Sequence, residues 1–401
     1  MDEVTRKKVL LISPDFGFGG AERSIASLSL LLATRYEVHY AVFNNMVSPV
    51  YAFGGQLHSL DVKGSDHVIG KLVAFILRIA RLRKIKQVVK PDVSISFLEG
   101  SDYVNVLSRT NEKIILTLRG SKRHDPNISG FMGFLRRKIL IPFTYRRADC
   151  IVSVAQGIIN EVEHDFRVPS KVTRSVIPNF YNLDDLKGKA GESLSDKWDD
   201  FFKRHIVFIS VGRLAFEKGF HLLADIFAGV VMSNPKARLV LVGSGKFEKQ
   251  IQEHLIKNKI TFSPTGVPVD FKSLVIFAGY QPNPLKWIAR ARFFVLSSFT
   301  EGFPNVLIES MAAGVPVIAA DCPYGPAEIL SEHNDSGIFR TYGMLLPLLE
   351  NDLAVIDQWR NHFIQVIEDE SIYNRYAHGT ENRVKEYNSD NALRKWASVI
   401  E

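Results

Sequence analysis

Residues 206–242 read IVFISVGRLAFEKGFHLLADIFAGVVMSNPKARLVLV and show the clearest structural pattern in the chain. It begins with a short aliphatic run, Ile206–Val211, continues through the amphipathic segment Phe220–Val231 and ends in a second aliphatic run, Arg238–Val242. Short aliphatic runs that alternate with helical segments are typical of a parallel β-sheet covered on both faces. The stretch therefore predicts a strand, a helix and a second, parallel strand.

The same alternation extends along the rest of the chain. Further predicted strands are Lys8–Ser13, Val38–Phe43, Val93–Phe97, Ile114–Leu118, Cys150–Val154, Arg174–Ile177, Leu274–Ala278, Phe293–Ser297 and Val315–Ala319. The polar, turn-rich segment 181–202 interrupts the pattern and is interpreted as a linker or hinge, whereas 258–272 is interpreted as a loop or hairpin insertion. We therefore predict two doubly wound (Rossmann-like) α/β domains facing across a cleft, residues 1–180 and 203–375. A C-terminal helix in 376–401 is expected to cross back to the first domain.

Length and composition agree with two globular domains. A chain of 401 residues is about twice the common domain size, and its 46% hydrophobic and 23% charged residues are ordinary for a folded protein. Only two cysteines occur, which favours buried thiols in a reducing compartment. The apolar run after the N-terminus is too short for a signal peptide, and no uncharged apolar stretch approaches the roughly 20 residues that span a bilayer. A cytoplasmic location is expected.

Positive charge is concentrated in the first half of the chain. Residues 1–190 contain 28 Lys and Arg against 18 Asp and Glu, whereas the whole chain has a net charge of only +7. Within that half, 71–90 has seven cations and no acidic residue, and 131–147 places aromatic residues beside cations. Both segments fit binding to an anionic membrane surface or capture of a lipid diphosphate. The alternative is that both are sheet-covering helices with solvated outer faces.

Glycine-rich turns follow two of the predicted strands. Gly17, Gly19 and Gly20 stand between the first strand and the next helix, where glycine lets the backbone approach an anion closely. A dinucleotide-binding fingerprint would require glycine where Glu22 stands, so a dehydrogenase is disfavoured. The turn Gly243-Ser244-Gly245 is similar. Either glycine cluster could also be a simple tight turn.

Cations and acids follow other strands of the second half. Gly212-Arg213 and Lys218 follow Ile206–Val211, at the strand end where open α/β sheets bind ligands, and two cations there could neutralise a diphosphate. Solvated loop charges are the alternative. Further on, Glu301 lies in a loop, and Glu309 lies in a helix that opens near Pro304. A carboxylate on a ribose diol, with helix N–H groups aimed at a phosphate, would form a nucleotide-sugar site.

These motifs resemble the Glu-x7-Glu signature of the large family of retaining two-domain glycosyltransferases, the GT-B architecture (family 4 type). The resemblance covers nearly the whole chain and includes Gly19-Gly20-Ala-Glu-Arg23, Pro178-Asn179, Gly279-Tyr280 and Asp321 to Glu328. It implies an N-terminal acceptor-binding domain and a C-terminal nucleotide-sugar-binding domain. The implied catalytic residues are Arg213, Lys218 and Glu301. The implied donor-binding residues are Gly19, Gly20, Gly212, Tyr280, Gly302, Phe303, Pro304, Asn305, Val306 and Glu309.

One position departs from the family pattern. Many members carry a histidine after the fourth or fifth strand of the first domain, facing the reacting sugar, whereas this chain has Arg119 in the corresponding stretch. The neighbouring His124 does not fit the motif. A bacterial subset that builds polysaccharides and lipid-linked oligosaccharides shares this arginine. Arg119 is thus predicted to bind acceptor or sugar, with a simple loop cation as the alternative.

The resemblance implies transfer of a hexose or N-acetylhexosamine from a nucleotide sugar, with UDP favoured, to a glycan or lipid-linked glycan. The chain contains no Asp-x-Asp pair, the common diphosphate–metal motif, so we predict that neither a metal nor another cofactor is needed. The basic segments add a peripheral location on the inner face of the plasma membrane. A nucleotide-sugar epimerase of the same architecture and a non-catalytic nucleotide-sugar-binding protein are the alternatives. Nucleic-acid binding would leave Glu301 and Glu309 unexplained.

Overall fold

A computed structural model describes residues 6–17, 19–44, 48–123, 125, 128, 130–332 and 335–401. The chain folds into two compact units. Unit 1 contains the residues up to Asn179 together with Ser389–Glu401, and unit 2 contains Phe180–Asn388. Each unit is built around one seven-stranded sheet in which all paired neighbours are parallel.

The sheet of unit 1 has the strand order β3-β2-β1-β4-β5-β6-β7. Its strands are β1 (Lys8–Ser13), β2 (Glu37–Val42), β3 (Gln56–Ser59), β4 (Val93–Phe97), β5 (Lys113–Leu118), β6 (Cys150–Ser153) and β7 (Thr173–Val176). The helices are α1 (Gly20–Ala33), α2 (Val68–Val89), α3 (Glu99–Leu107), α4 (Gly130–Leu135), α5 (Ile141–Tyr145), α6 (Gln156–Phe166) and, at the end of the chain, α17 (Ser389–Ile400). A π-helical turn, Arg136–Leu140, joins α4 to α5.

The sheet of unit 2 has the strand order β10-β11-β9-β8-β12-β13-β14. Its strands are β8 (Ile206–Val211), β9 (Ala237–Val242), β10 (Phe262–Ser263), β11 (Val275–Gly279), β12 (Phe293–Leu296), β13 (Val317–Ala320) and β14 (Met344–Leu346). The helices are α7 (Leu183–Gly191), α8 (Asp196–Arg204), α9 (Phe220–Ser233), α10 (Glu248–Lys257), α11 (Leu285–Ile288), α12 (Asn305–Ala312), α13 (Gly325–Leu330), α14 (Leu353–Glu368), α15 (Glu370–Gly379) and α16 (Glu381–Lys385).

Both strand orders reverse direction once, and this reversal positions the candidate site. In unit 2 the chain runs from β8 to one edge of the sheet and then returns to place β12 on the other side of β8. Because parallel crossovers are right-handed, the two directions put helices on opposite faces and leave a crevice at the carboxyl ends of the two central strands. The corresponding switch point in unit 1 lies between β1 and β4.

The predicted fold class is confirmed, since each unit is a doubly wound parallel α/β sheet. Every predicted strand is present within about two residues of its expected bounds. Three short strands, β3, β10 and β14, were not predicted. All three lie at or next to a sheet edge and have at most four residues, so their sequences carry little periodic signal.

The segment interpreted as a linker contains two helices, α7 and α8. The aromatic side chains of α8 explain why this polar segment is ordered: the ring of Trp198 lies 4.5 Å from that of Trp287 and 5.0 Å from that of Phe271. Both partners come from much later in the sequence, so local composition could not reveal them. Among the described residues, no helix is both long enough and apolar enough to span a membrane.

Candidate active site

The loop after β8 is held against the end of β12. It contains a short 3-10 turn, Phe216–Lys218, and ends at Gly219, whose φ is 66°. A Cβ on Gly219 would lie 2.3 Å from the carbonyl oxygen of Ser297, so only glycine allows this approach. The Ser297 hydroxyl donates to the Lys218 carbonyl oxygen at 2.7 Å. Lys218 is therefore fixed at the switch point between β8 and β12.

At this switch point the structure brings two of the predicted catalytic residues together. Lys218 Nζ donates to Glu301 Oε1 at 2.5 Å, and the Ser298 hydroxyl donates to the same oxygen at 2.7 Å. The two side chains are 22% and 14% exposed, so the ion pair is partly shielded from water. The Glu301 backbone is fixed to the loop after β13, donating to Pro323 O at 3.1 Å and accepting from the N–H of Tyr324. The sequence had placed both residues at strand ends but had not predicted that they pair.

The Arg213 side chain pairs with an acid of its own loop. Its guanidinium donates to Glu217 at 2.7 Å, and the side chain is 73% exposed. Both predicted cations are thus neutralised by acids in this structure, Arg213 within its own loop and Lys218 across to the loop after β12. An anionic ligand would have to replace these carboxylates as partner.

Glycines bring the loops after β8 and β9 into contact. A Cβ on Gly243 would lie 1.9 Å from the carbonyl oxygen of Gly212, and one on Gly245 would lie 2.2 Å from that of Leu214. The turn Gly243-Ser244-Gly245, which the sequence left ambiguous, therefore has a clear packing reason. Close packing of these loops fixes the backbone at Gly212 and Arg213.

The helix α12 begins at Asn305 directly after Pro304, as the sequence predicted. Glu309 is only 2% exposed and lies on the inner side of this helix. Asn305 accepts a 2.7 Å hydrogen bond from the Tyr181 hydroxyl, and the buried Phe303 ring packs edge-on against Tyr387. These contacts fix the first turn of α12, whose N–H groups point back towards the loop of Gly302.

Of the remaining predicted donor-binding residues of unit 2, two lie on loops and one lies in α12. Tyr280 follows β11 and is 58% exposed. Gly302 packs against Gly325, where a Cβ would lie 2.6 Å from the Gly302 carbonyl oxygen. Val306 is half-buried in the first turn of α12. Their roles towards a donor stay predictions.

In unit 1 the predicted residues Gly19, Gly20 and Arg119 lie at the carboxyl edge of the sheet. Gly20 starts α1, and a Cβ on Gly19 would lie 2.2 Å from the Glu22 carboxylate, so a larger residue there would displace that side chain. Arg119 follows β5, donates to the Asn179 side-chain oxygen at 2.9 Å and lies over the Phe97 ring at 4.5 Å. Its role in acceptor binding stays a prediction. His124 lies outside the described residues.

Sequence reasoning missed a charged cluster at the same edge of unit 1. Glu99 follows β4 and accepts from Lys122 at 3.2 Å and from Arg136 at 2.9 Å. Burial acts to raise the pKa of Glu99, but Lys122, Tyr103 and Arg136 together hold it below its usual range. The strand-end rule that identified Lys218 would also have identified Glu99 and Lys122.

Two other acids support this cluster. Asp102 is fully enclosed, and burial raises its pKa to about 7 despite a hydrogen bond from Ser96. Glu161 of α6 accepts from the backbone N–H groups of Lys122 and Arg123 at 2.7 and 3.0 Å. It therefore shapes the loop after β5 that carries Arg119. Among the described side chains, no group of three His, Cys, Asp or Glu could hold a metal ion.

Gly219 offers a test of the loop geometry. Gly219→Ala is expected to lower the free energy of unfolding by about 2–3 kcal/mol and to reduce kcat/KM for the donor, because the new methyl group must displace the end of β12. Gly266→Ala is the matched control, since Gly266 also has positive φ (84°) but has no atom within 4 Å of its Cβ position. Urea denaturation and donor kinetics on both variants measure the difference. Equal losses would contradict the close approach to Ser297.

Family models match both halves of the chain. The model described as "Glycosyltransferase Family 4" matches residues 18–185, and that described as "Glycosyl transferases group 1" matches residues 205–349. The second match includes all three predicted catalytic residues. The first includes Gly19, Gly20 and Arg119.

Similar proteins agree with these matches. The chain is 29% identical to an uncharacterised glycosyltransferase of Methanocaldococcus jannaschii, covering 81% of this chain and 82% of that protein. It is 25% identical to the N-acetylgalactosamine-N,N'-diacetylbacillosaminyl-diphospho-undecaprenol 4-alpha-N-acetylgalactosaminyltransferase of Campylobacter jejuni, covering 92% and 93%. The crystal structure of Anabaena HepE in complex with UDP-glucose superposes with a TM-score of 0.73 at 16% identity over 98% and 99% of the chains. The protein is therefore a glycosyltransferase of the GT-B architecture.

Proposed function

We propose that the protein transfers a hexose or N-acetylhexosamine from a UDP-sugar to a glycan or lipid-linked glycan, with retention of the anomeric configuration and without a metal ion. The observation that carries this proposal is the Lys218–Glu301 pair at the β8–β12 switch point. An ammonium group and a carboxylate there, both partly shielded from water, match the two ends of a sugar diphosphate. The cation suits the phosphates, and the carboxylate suits the hydroxyl groups.

Donor binding would replace the carboxylate partners of the two cations with the donor diphosphate. Lys218 would move from Glu301 to the diphosphate, and Arg213 would move from Glu217 to the same group, where its guanidinium can donate two hydrogen bonds. Glu301, released from Lys218, would accept hydrogen bonds from the sugar. The two cations would then stabilise the negative charge that develops on the departing phosphate.

We infer front-face displacement as the retaining route. The acceptor hydroxyl would attack from the side on which the phosphate leaves, a C–O bond forming as the sugar–phosphate bond breaks, and the departing phosphate oxygen would take the hydroxyl proton. No carboxylate acts as nucleophile in this scheme. The protein contributes positioning and charge stabilisation.

The acceptor assignment rests on charge and on likeness. The excess of positive charge in residues 1–190 suits an anionic acceptor. The Campylobacter relative, by its name, extends a sugar carried on diphospho-undecaprenol, and the Anabaena structure contains UDP-glucose. A lipid-linked acceptor would place the protein, as a cytoplasmic enzyme, at the inner face of the plasma membrane.

A donor panel tests the proposal. The protein is incubated with UDP-, GDP- and ADP-activated hexoses and N-acetylhexosamines, with and without an undecaprenyl-diphosphate glycan, and nucleoside diphosphate release is measured. We expect slow hydrolysis of a UDP-sugar that acceptor accelerates, and NMR of the product should show the anomeric configuration of the donor. Conversion of the donor to its epimer would instead identify an epimerase. Binding without turnover would identify a non-catalytic protein, and an inverted product would exclude front-face displacement.

Metal independence is tested by chelation. Incubation with EDTA followed by removal of the chelator is expected to leave kcat unchanged within about twofold, because Arg213 and Lys218 supply the positive charge that a metal would supply. The measurement is the rate of nucleoside diphosphate release before and after treatment. A loss of turnover that Mg²⁺ or Mn²⁺ restores would contradict the prediction.

A further inference from the structure

The helix α2 exposes an apolar surface to solvent in its first half. Six large hydrophobic side chains within Val68–Leu77 are at least 41% exposed. They are Val68 (82%), Ile69 (79%), Leu72 (59%), Val73 (50%), Ile76 (56%) and Leu77 (41%). Such a density of exposed aliphatic side chains on one short helical segment is unusual for a soluble surface and marks an interaction site.

The opposite side of α2 is occupied by the core of unit 1. Ala74 and Leu82 are buried in the cluster that includes Leu10 and Ile12, with Phe75, Ile79 and Ile85 packed against it. The exposed hydrophobic residues therefore form the outer face of the helix, and a different set of α2 side chains packs into the core. We name the six exposed side chains of this outer face, Val68, Ile69, Leu72, Val73, Ile76 and Leu77, the α2 apolar patch.

Charge changes along the same outer face. Ile69, Val73 and Ile76 follow helical spacing, and the same spacing leads on to Arg83 and Lys84, which are exposed. Residues 71–90 contain no acidic residue. The surface is thus apolar at the start of the helix and cationic towards its end.

Not every cation of the helix belongs to this surface. Lys86 is fully buried and donates to Glu112 at 2.7 Å and to the side-chain and backbone oxygens of Asn105. Arg78 is partly buried over the Phe43 ring. The seven cations of 71–90, which the sequence presents as one group that could bind a membrane, are therefore divided between the interior of unit 1 and its surface.

The other basic segment, 131–147, uses its first two arginines within unit 1. Arg136 pairs with Glu99 and Arg137 with Asp165. Arg147 lies over the Phe143 ring at 3.7 Å. These contacts stabilise the unit itself and weaken the case for 131–147 as the membrane-binding segment.

We infer that the α2 apolar patch inserts into the surface of an anionic phospholipid bilayer, with Arg83 and Lys84 at the lipid phosphates. Aliphatic side chains beside cations, without acids, match the acyl boundary and the negative headgroups of such a surface. A second copy of the chain fits less well, because residues 71–90 of a partner copy contain no acid that could pair with Arg83 and Lys84. The inference extends the proposed use of a lipid-linked acceptor by naming the surface that contacts the lipid.

Vesicle flotation with the full-length protein tests the inference in the absence of any donor. We expect binding at low salt to vesicles of phosphatidylglycerol and phosphatidylcholine, and at least about tenfold weaker binding to phosphatidylcholine alone or at high salt. The double variant Val73→Asp/Ile76→Asp should lower the partition coefficient at least about tenfold. Arg83→Gln/Lys84→Gln should lower it about tenfold on anionic vesicles only.

Matched controls lie in unit 2. Met232→Asp (83% exposed) and Lys249→Gln (side chain 84% exposed) remove exposed groups outside α2 and should leave the partition coefficient unchanged. UDP-sugar hydrolysis by the α2 variants should also be unchanged, which separates failure of this inference from failure of the proposed function. Absence of flotation at low salt would overturn the inference. So would equal losses in the controls, or a dimer in sedimentation that Val73→Asp/Ile76→Asp dissociates without any vesicle binding.

Discussion

Lys218→Ala is expected to lower kcat by about a hundred- to a thousandfold, because loss of one fixed donor at a site of developing negative charge has an effect of this size. Lys218 is held at the switch point by the Ser297 hydroxyl, which donates to its carbonyl oxygen, and by the close approach of Gly219 to the end of β12. Arg213→Ala should also lower kcat by at least about a hundredfold. Steady-state release of nucleoside diphosphate with saturating donor measures both effects.

A control variant tests whether the loss of kcat depends on the position of the lysine or only on the loss of one positive charge from unit 2. Lys249→Ala removes a cation of the same unit whose side chain is 84% exposed and should leave kcat unchanged. Circular dichroism should show that Lys218→Ala remains folded, since its ion pair with Glu301 is partly solvated. A change in kcat of less than about threefold for Lys218→Ala would rule out the proposed role in leaving-group stabilisation.

Glu112→Gln is expected to lower the free energy of unfolding by about 3–5 kcal/mol at pH 7, because it leaves a buried ammonium group without its counter-charge. Lys86 and Glu112 both have fully buried side chains, and Nζ to Oε1 is 2.7 Å. Burial lowers the pKa of Lys86 to about 8, so the ammonium group still carries its charge at neutral pH. Equilibrium denaturation with urea measures the loss.

Two further variants test the cause of that loss. Lys86→Met/Glu112→Leu removes both charges and should be less destabilised than Glu112→Gln, since an apolar pair leaves no buried charge unpaired. Asp185→Asn breaks the ion pair of Asp185 with Lys189, whose side chains are 51% and 44% exposed, and should cost less than about 1 kcal/mol. A double variant as unstable as the single one would show that packing, and not charge, dominates at this position.

Much of the fold was predictable because each strand is a local feature. The runs Ile206–Val211 and Val93–Phe97 are aliphatic, short and bounded by turns, and their burial on both sheet faces gives them a strong signal. The position of Lys218 and Glu301 at strand ends was predictable for the same reason, since parallel strands place their carboxyl ends at one edge. The start of α12 was also predictable to within about one residue, from Pro304.

What the sequence could not supply were contacts between distant segments. The Lys218–Glu301 pair depends on β8 and β12 being neighbours, and nothing local shows that a strand later in the chain returns beside an earlier one. The burial of Lys86 depends on Asn105 and Glu112, which belong to later elements. From the helical periodicity of the sequence alone, Lys86 is indistinguishable from the other cations of this basic helix.

The order of the two units along the chain has a consequence for biosynthesis. In the sequence, unit 2 lies between the two segments that form unit 1. The second of these segments contains α17, which buries Trp396 and Ile400, and Glu401, which accepts hydrogen bonds from Arg35 and Tyr36. The ribosome therefore delivers all of unit 2 before the segment that completes unit 1. Until α17 has been synthesised, the surface of unit 1 that it covers is exposed on the nascent chain. Exposed apolar surface of this kind is what chaperones bind during translation, so we expect chaperone binding to the early part of unit 1.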